Sequence, residues 1–259
     1  MRQASQQAPR SGNYADLFTL APQDQVRAFA DMRGLYPTRV IACGATASEL
    51  PRGNAVDFAW EVQGQTLGIA DFMRRGRNAG VLILKRGRIV LERYALGHSA
   101  GTRWISFSMA KSITSTLVGA ALHDGLIGSL DDPVTLTVPR LRGSAYDGVT
   151  IRHVLQMSSG VRWVETYLDP QSDRRQLLAL QQREQPGAVI DYLRTLARAA
   201  EPGTRFNYNT AETFLLGAIL AGAIHRPLSD YLSEKIWRPF GMESDAYWQL
   251  ESEGGQEFA

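Results

Sequence analysis

Ser108 and Lys111 stand three positions apart in Ser108-Met109-Ala110-Lys111, ahead of a run of apolar residues at helical spacing. On a helix that spacing sends both side chains out of one face. An amine beside an alcohol can, once neutral, take the alcohol's proton and turn it into a nucleophile. The pattern S-x-x-K also arises by chance, and a serine near a lysine is often only a capping hydroxyl beside a solvated cation. The surroundings tip the balance. Trp104-Ile105-Ser106-Phe107 is apolar and reads as strand or turn, while Ile113, Leu117, Val118, Ala121 and Leu122 repeat with the period of a helix. A lysine in the first turn of such a helix gains nothing from the macrodipole and is expected to be partly desolvated. Both effects favour the uncharged amine.

The elements that must hold this pair are legible in part. Residues 81–85 and 88–94 are runs of β-branched and apolar residues around Arg86-Gly87 and read as a β-hairpin. The hairpin leads through Gly97 and Gly101 into the Ser108 helix. Residues 1–60 lack a strong period, with 23–33 the best helix candidate. Beyond the Ser108 helix, 130–134 reads as a turn feeding a short extended segment. Thr150 is placed to cap a helix over 151–157 that ends at Ser158-Ser159-Gly160. Residues 161–187 read as a polar loop, and 188–200, 211–224 and 228–237 read as helices. A lone hairpin is marginal in water and needs further strands or a covering layer, so the chain is expected to be incomplete at its C-terminal end.

Composition narrows the function classes. The 259 residues suffice for one large domain or two small ones, with the apolar and charged fractions of a globular protein. The net charge of +2, with acids interleaved among the bases, gives no reason to invoke nucleic acid, and the basic run 73–77 reads as a solvated turn. A single cysteine, Cys43, excludes an internal disulfide, and His98, His123, His153 and His225 lack a metal-ligand spacing. No cofactor or metal is expected. There is no G-x-S-x-G elbow, which argues against a Ser-His-Asp hydrolase. Residues 1–12 are polar, without the apolar core of a signal peptide, and no stretch has the length of a membrane span. Cytoplasmic location is the default, and periplasmic location follows if an N-terminal signal was lost.

Several further motifs follow Ser108-Met109-Ala110-Lys111 in order: Leu130-Asp131-Asp132-Pro133-Val134, Gly143 through Arg152, Leu155-Gln156-Met157-Ser158-Ser159-Gly160-Val161, Pro202-Gly203-Thr204-Arg205-Phe206-Asn207-Tyr208, and Leu228 through Met242. Together, over about residues 79–242, they resemble the serine β-lactamase and penicillin-binding-protein superfamily. The likeness is to its class C-like esterase branch and the 6-aminohexanoate-dimer (nylon oligomer) hydrolases. The resemblance implies an α/β (α+β) fold with an antiparallel sheet flanked by helices and a mostly helical region. In that frame residues 1–78 are an N-terminal extension, and 79–259 are the hydrolase domain without its last strands. It also implies acyl transfer to a small-molecule ester or amide substrate. Ser108 is the nucleophile, Lys111 the base and Tyr208 the proton relay, with the Ser108 N–H as one oxyanion donor.

By the same resemblance Tyr167 is a candidate amide contact, and Asn209 is either a substrate contact or a cap for the helix that follows. Asp131 and Asp132 read as a structural turn, and Trp163 as packing. Two departures stand out. The family pattern Y-x-N is replaced by Tyr208-Asn209-Thr210, which weakens a β-lactam-directed role, and the late Lys- or His-containing triad with glycine has no counterpart after Tyr208. The competing readings are a β-lactamase or D,D-peptidase, and an inactive fragment or binding protein on the same scaffold.

Overall fold

Apolar residues on every side of the segment 210–224 leave it no face to give to water, so it must be wrapped by other elements. The computed structural model, which describes residue 17 and residues 19–258, supplies them; the polar stretch 1–12 lies outside the described residues. In chain order the elements are α1 (Pro22–Ala30), β1 (Thr38–Ile41), β2 (Ala59–Val62), β3 (Gln65–Gly68), α2 (Ile69–Gly76), β4 (Gly80–Lys85), β5 (Arg88–Tyr94) and α3 (Met109–His123). They continue with α4 (Val134–Thr137), α5 (Ile151–Leu155), α6 (Asp173–Arg183), α7 (Ala188–Thr195), α8 (Thr210–Ile224), α9 (Leu228–Leu232) and β6 (Ala246–Gln249). The chain is thus α+β. Its described strands are all antiparallel, grouped in three two-stranded pairs: β1 with β6, β2 with β3, and β4 with β5.

Two compact units divide the chain. Among the described residues, one joins the stretch up to Met32 to Ser48–Ile105 and holds two hairpins. In β4–β5 the turn residues Arg86 and Gly87 have φ of 52° and 73°, the backbone of a two-residue hairpin turn whose twist matches the strands. Gln63 and Gly64 do the same for β2–β3, at 49° and 73°. The basic run 73–77, expected as a solvated turn, instead closes α2, with Arg77 in the left-handed C-terminal position at φ 50°.

The other unit joins Arg33–Ala47 to Ser106–Ala259. Its centre is α8, where Ala211, Phe214, Leu215, Leu216, Ile219 and Leu220 are buried. Against it pack α3 through Leu117, Val118 and Ala121, α5 through Ile151 and Val154, and α7 through Val189, Ile190 and Leu193. The carboxylate of Glu257, buried in the chain's tail, pairs with Arg39 of β1 at 2.6 Å and accepts the Ser229 N–H at 3.0 Å.

Several boundaries differ from those expected, each for a local reason. Residues 134–137 form the helical turn α4 rather than an extended segment. The Val134 N–H is taken by the Val149 carbonyl, and the Val134 carbonyl accepts from Val138. The loop expected over 161–187 contains α6, whose polar sequence shows little apolar period and buries only one apolar side chain, Leu177. Ser172 caps it. Helix α7 stops at Thr195 instead of continuing to 200, because 197–200 are drawn off to pair with 160–162: Arg162 N–H donates to Ala197 O at 2.8 Å and Ala199 N–H to Gly160 O at 2.7 Å. Helix α5 ends at Leu155, with Met157 in the left-handed position at φ 52°, while Gly160 serves a different need. A Cβ there would lie 2.1 Å from the Ala200 carbonyl oxygen, so only glycine admits this approach.

Candidate active site

Ser108 is the residue from which α3 departs, and it does not spend its side chain on capping. The first N–H groups of the helix are taken by carbonyls three residues back: Met109 by Ser106, Ala110 by Phe107 and Lys111 by Ser108, at 3.0 to 3.2 Å. This tight turn satisfies donors that a serine hydroxyl usually serves. The hydroxyl is left for other partners. Phe107 enters the turn at φ 45°, a left-handed conformation that costs a bulky residue on the order of 1–2 kcal/mol and is the kind of strain found at functional sites.

The partners are Lys111 and Tyr208. Lys111 Nζ lies 3.2 Å from Ser108 Oγ, and the Tyr208 hydroxyl donates to the same oxygen at 2.8 Å. Lys111 Nζ also stands 5.4 Å from the centre of the Tyr208 ring. Ser108 is exposed, and Lys111 and Tyr208 are half-buried. A cavity of about 180 Å³ borders Lys111, walled on its apolar side by Val154, Leu155, Met157 and Leu216. Among the described residues no backbone carbonyl accepts from the Ser108 N–H, which lies at the positive end of α3.

Tyr208 reaches the serine because the strand-like approach to it is tied down by backbone bonds. Ser158 O accepts from Gly203 N–H at 2.7 Å, and Met157 O from Asn207 N–H at 2.8 Å. Immediately after, Asn209 caps α8: its Oδ1 accepts from Ala211 and Glu212 N–H at 2.9 and 3.2 Å, and the residue is buried. Of the two roles open to Asn209, this geometry occupies the capping one. One turn on, burial pushes the Glu212 carboxyl up to about 8, against the pull of hydrogen bonds from Ser159 and Tyr146. The Ser159 hydroxyl donates to it, and the buried Tyr146 hydroxyl lies against it just outside good hydrogen-bond geometry.

Tyr167 lies on the loop that leads to α6. Its hydroxyl donates to Glu165 at 3.2 Å and the Arg174 guanidinium sits 5.5 Å from its ring centre. Partial burial and then the Glu165 charge hold the phenol above its ordinary range, with a smaller contribution from Tyr208. Trp163 is buried in the core and its indole N–H also donates to Glu165. Glu165, which the sequence reading passed over, is therefore a hub. Its only advance signal was the spacing Trp163-x-Glu165-x-Tyr167, with three polar-tipped side chains at every second residue of a loop. Asp131 takes a two-pronged bond from Arg152 at 2.8 and 3.0 Å, and Asp132 accepts the Ser129 N–H at 2.9 Å, so both serve the turn. Among the described residues no group of His, Cys, Asp or Glu could hold a metal ion, and no helix is long and apolar enough to cross a membrane.

A serine, a lysine one helical turn on and a tyrosine from a distant loop, meeting at one oxygen, define a class of site rather than a substrate. The Beta-lactamase family model matches residues 63–256, and the chain belongs to that family. It is 31% identical over 170 residues to the 6-aminohexanoate-dimer hydrolase of Paenarthrobacter ureafaciens, a match covering 64% of this chain and 43% of that protein. A Beta-lactamase of Pseudomonas fluorescens is 24% identical over 136 residues, covering 52% of this chain and 34% of the relative. In fold the chain is similar to a Bacillus anthracis protein solved as a provisional 6-aminohexanoate-dimer hydrolase. The TM-score is 0.79 at 20% identity, over 100% of this chain and 68% of that one. The matched region spans less than half the length of these two curated relatives.

Proposed function

We propose that this protein is a serine hydrolase that cleaves an ester or amide bond through an acyl-enzyme on Ser108. The observation that carries the reading is the convergence of Lys111 Nζ and Tyr208 Oη on Ser108 Oγ, at 3.2 and 2.8 Å. Ser108 Oγ forms a bond to the substrate carbonyl carbon while its proton passes to the unprotonated Lys111 amine. The developing oxyanion takes the Ser108 N–H as one donor. The bond from carbonyl carbon to the leaving oxygen or nitrogen then breaks, and the leaving group gains a proton relayed through Tyr208. Water attacks the ester so formed, Lys111 and Tyr208 move the proton in the reverse direction, and the acid is released with Ser108 restored. Tyr167, on its anchored loop, is the proposed contact for the amide on the strength of the family resemblance. The substrate is a small molecule with a linear ester or amide rather than a β-lactam, because Thr210 stands where an amide-holding asparagine would be expected and turns its hydroxyl to Glu165.

Labelling with a fluorophosphonate probe and hydrolysis of a short-chain nitrophenyl ester test the reading together. Wild-type protein is expected to label at Ser108 and turn over the ester, and Ser108→Ala to lose both. Turnover that persists unchanged in Ser108→Ala overturns the assignment. A wild-type protein that neither labels nor turns over points to a binding protein on the same scaffold.

A further inference from the structure

Glu212 stands four residues past Tyr208 in the first turn of α8, is 1% exposed, and has no part in the proposed proton transfers. The Ser159 hydroxyl donates to its Oε1. Its Oε2 is buried without a hydrogen bond, as is the hydroxyl of the fully buried Tyr146 that lies against it. Among the described residues no cation pairs with the carboxyl, and Tyr146 and Ser159 are the groups that face it. Titratable side chains on the elements packed against α8 are engaged elsewhere: Lys111 of α3 at Ser108, His153 of α5 at the Thr150 N–H, Asp173 of α6 with Tyr192 of α7, Asp191 of α7 with Arg140, and Tyr231 of α9 with Asp124. An ionised carboxylate can only accept, whereas a neutral carboxyl accepts through one oxygen and donates through the other. Held neutral by burial, Glu212 accepts from Ser159 at Oε1 and has a proton at Oε2 to offer the Tyr146 oxygen.

Two segments meet at this carboxyl, and Tyr208 lies between them. On its N-terminal side the loop 157–161 holds the approach: Ser158 O accepts the Gly203 N–H at 2.7 Å and Met157 O the Asn207 N–H at 2.8 Å, while the same Ser159 Oγ that reaches Glu212 accepts the Val161 N–H at 3.1 Å. On its C-terminal side the Asn209 cap fixes the first turn of α8, taking the N–H of Glu212 itself at 3.2 Å. The Ser159–Glu212 bond therefore ties the loop that holds Asn207 to the helix that Asn209 caps. Between these two fixed neighbours the Tyr208 hydroxyl reaches Ser108 Oγ at 2.8 Å. A carboxylate anion at Glu212 would stand in a water-excluded place with no cation to balance it, and that cost is relieved by admitting water between loop and helix.

We propose that Glu212 is a positioning residue that works as a neutral carboxyl: by tying the 157–161 loop to the first turn of α8 through Ser159, with Tyr146 behind it, it holds the Tyr208 phenol at Ser108 Oγ, and its ionisation releases the phenol. The inference rests on the serine hydrolase reading. It makes the chemical step, rather than substrate affinity, sensitive to alkaline pH. Burial pushes the carboxyl up to about 8, so the tie is complete below that value and is lost as pH rises through it. Lys111 acts in the opposite sense, since an amine becomes a base by losing its proton as pH rises.

The test follows hydrolysis of a short-chain nitrophenyl ester between about pH 6 and about pH 9 in the full chain, for wild type, Glu212→Gln, Glu212→Ala and Ser159→Ala. Glu212→Gln keeps the shape of the neutral carboxyl at every pH, with one accepting oxygen and one donating group. At about pH 7 it is expected to hold kcat within about 3-fold of wild type, and the ratio of wild-type to Glu212→Gln kcat is expected to fall about 10-fold by about pH 9, a ratio in which the Lys111 contribution cancels. Glu212→Ala and Ser159→Ala are expected to lower kcat by about 10-fold or more with KM changed by less than about 3-fold. In a Tyr208→Phe background Glu212→Ala is expected to cost less than about 3-fold more, because it acts through the phenol. A kcat ratio that stays flat with pH, or wild-type kcat in Ser159→Ala, overturns the inference, and the second does so even if Glu212→Ala fails to fold. Near-ultraviolet circular dichroism lost in step with activity assigns the fall to global unfolding and overturns it as well. Fluorophosphonate labelling separates the two readings. Protein that labels at Ser108 but gives a flat ratio remains a hydrolase without this control, whereas protein that never labels ends both.

Discussion

A hydroxyl becomes a nucleophile only if something nearby takes its proton, and at Ser108 two groups are within reach of one oxygen. Their roles separate by mutation. Lys111→Ala removes the proposed proton acceptor and is expected to abolish acylation, read as loss of probe labelling with the helix intact by circular dichroism. Tyr208→Phe removes the proposed relay and no packing, so labelling is expected to persist at a reduced rate. General acid–base assistance is worth about 10²- to 10⁴-fold, which is the expected drop in kcat. Near-normal turnover in Tyr208→Phe would take the phenol out of the mechanism.

At the level of elements, the site depends on the loop around Gly160 more than on any helix. Backbone bonds from Met157, Ser158 and Gly160 to the stretch 197–207 set where Tyr208 emerges, and the Gly160 conformation, φ 76°, permits them. Gly160→Ala would press a Cβ against the Ala200 carbonyl and strain the backbone at once. A loss of about 2 kcal/mol or more is expected by denaturant titration, with activity falling alongside. Asn209→Ala removes the α8 cap from a buried position and is expected to cost about 1–2 kcal/mol. Asn209→Ser, which keeps an acceptor, should recover much of that, as a capping role requires and a substrate contact would not.

Across the whole molecule, the buried Glu212 carboxyl gives stability a pH dependence opposite to that of most acids. Its folded value of about 8 lies above the ordinary 4.5, so the folded state holds a proton that the unfolded state releases. Stability is therefore full below about 4.5, falls as pH rises toward 8 and levels off beyond, with an upper bound on the order of 5 kcal/mol. Burial moves Glu251 in the same direction. At the acid end Asp124, held down to about 2 by Lys235 and Tyr231, supplies stability that is lost as pH falls through that value. Urea midpoints are expected to be higher at pH 5 than at pH 9, and Glu212→Gln is expected to flatten that slope. A slope unchanged in the variant would assign it to other groups.

Much of this was open to inspection in the sequence because it is local. The β4–β5 hairpin follows from a turn dipeptide between β-branched runs, α3 and α8 from apolar repeats, and the Ser108–Lys111 pair from a spacing that a helix converts directly into proximity. Tyr208 could be named only through family resemblance, since nothing local tells a relay tyrosine from a packed one. The elements that went unread share a cause. Helix α6 shows almost no apolar period, and β1 and β6 are four-residue strands paired across most of the chain. Only the tertiary structure decided that Tyr208 meets Ser108 across 100 positions, that Glu165 gathers the protons of Tyr167 and Thr210, and that Glu212 is buried. Spacing along a chain fixes neighbours within a helix or hairpin, whereas contacts between distant segments arise when α8 buries its whole circumference and draws the loops around its first turn together.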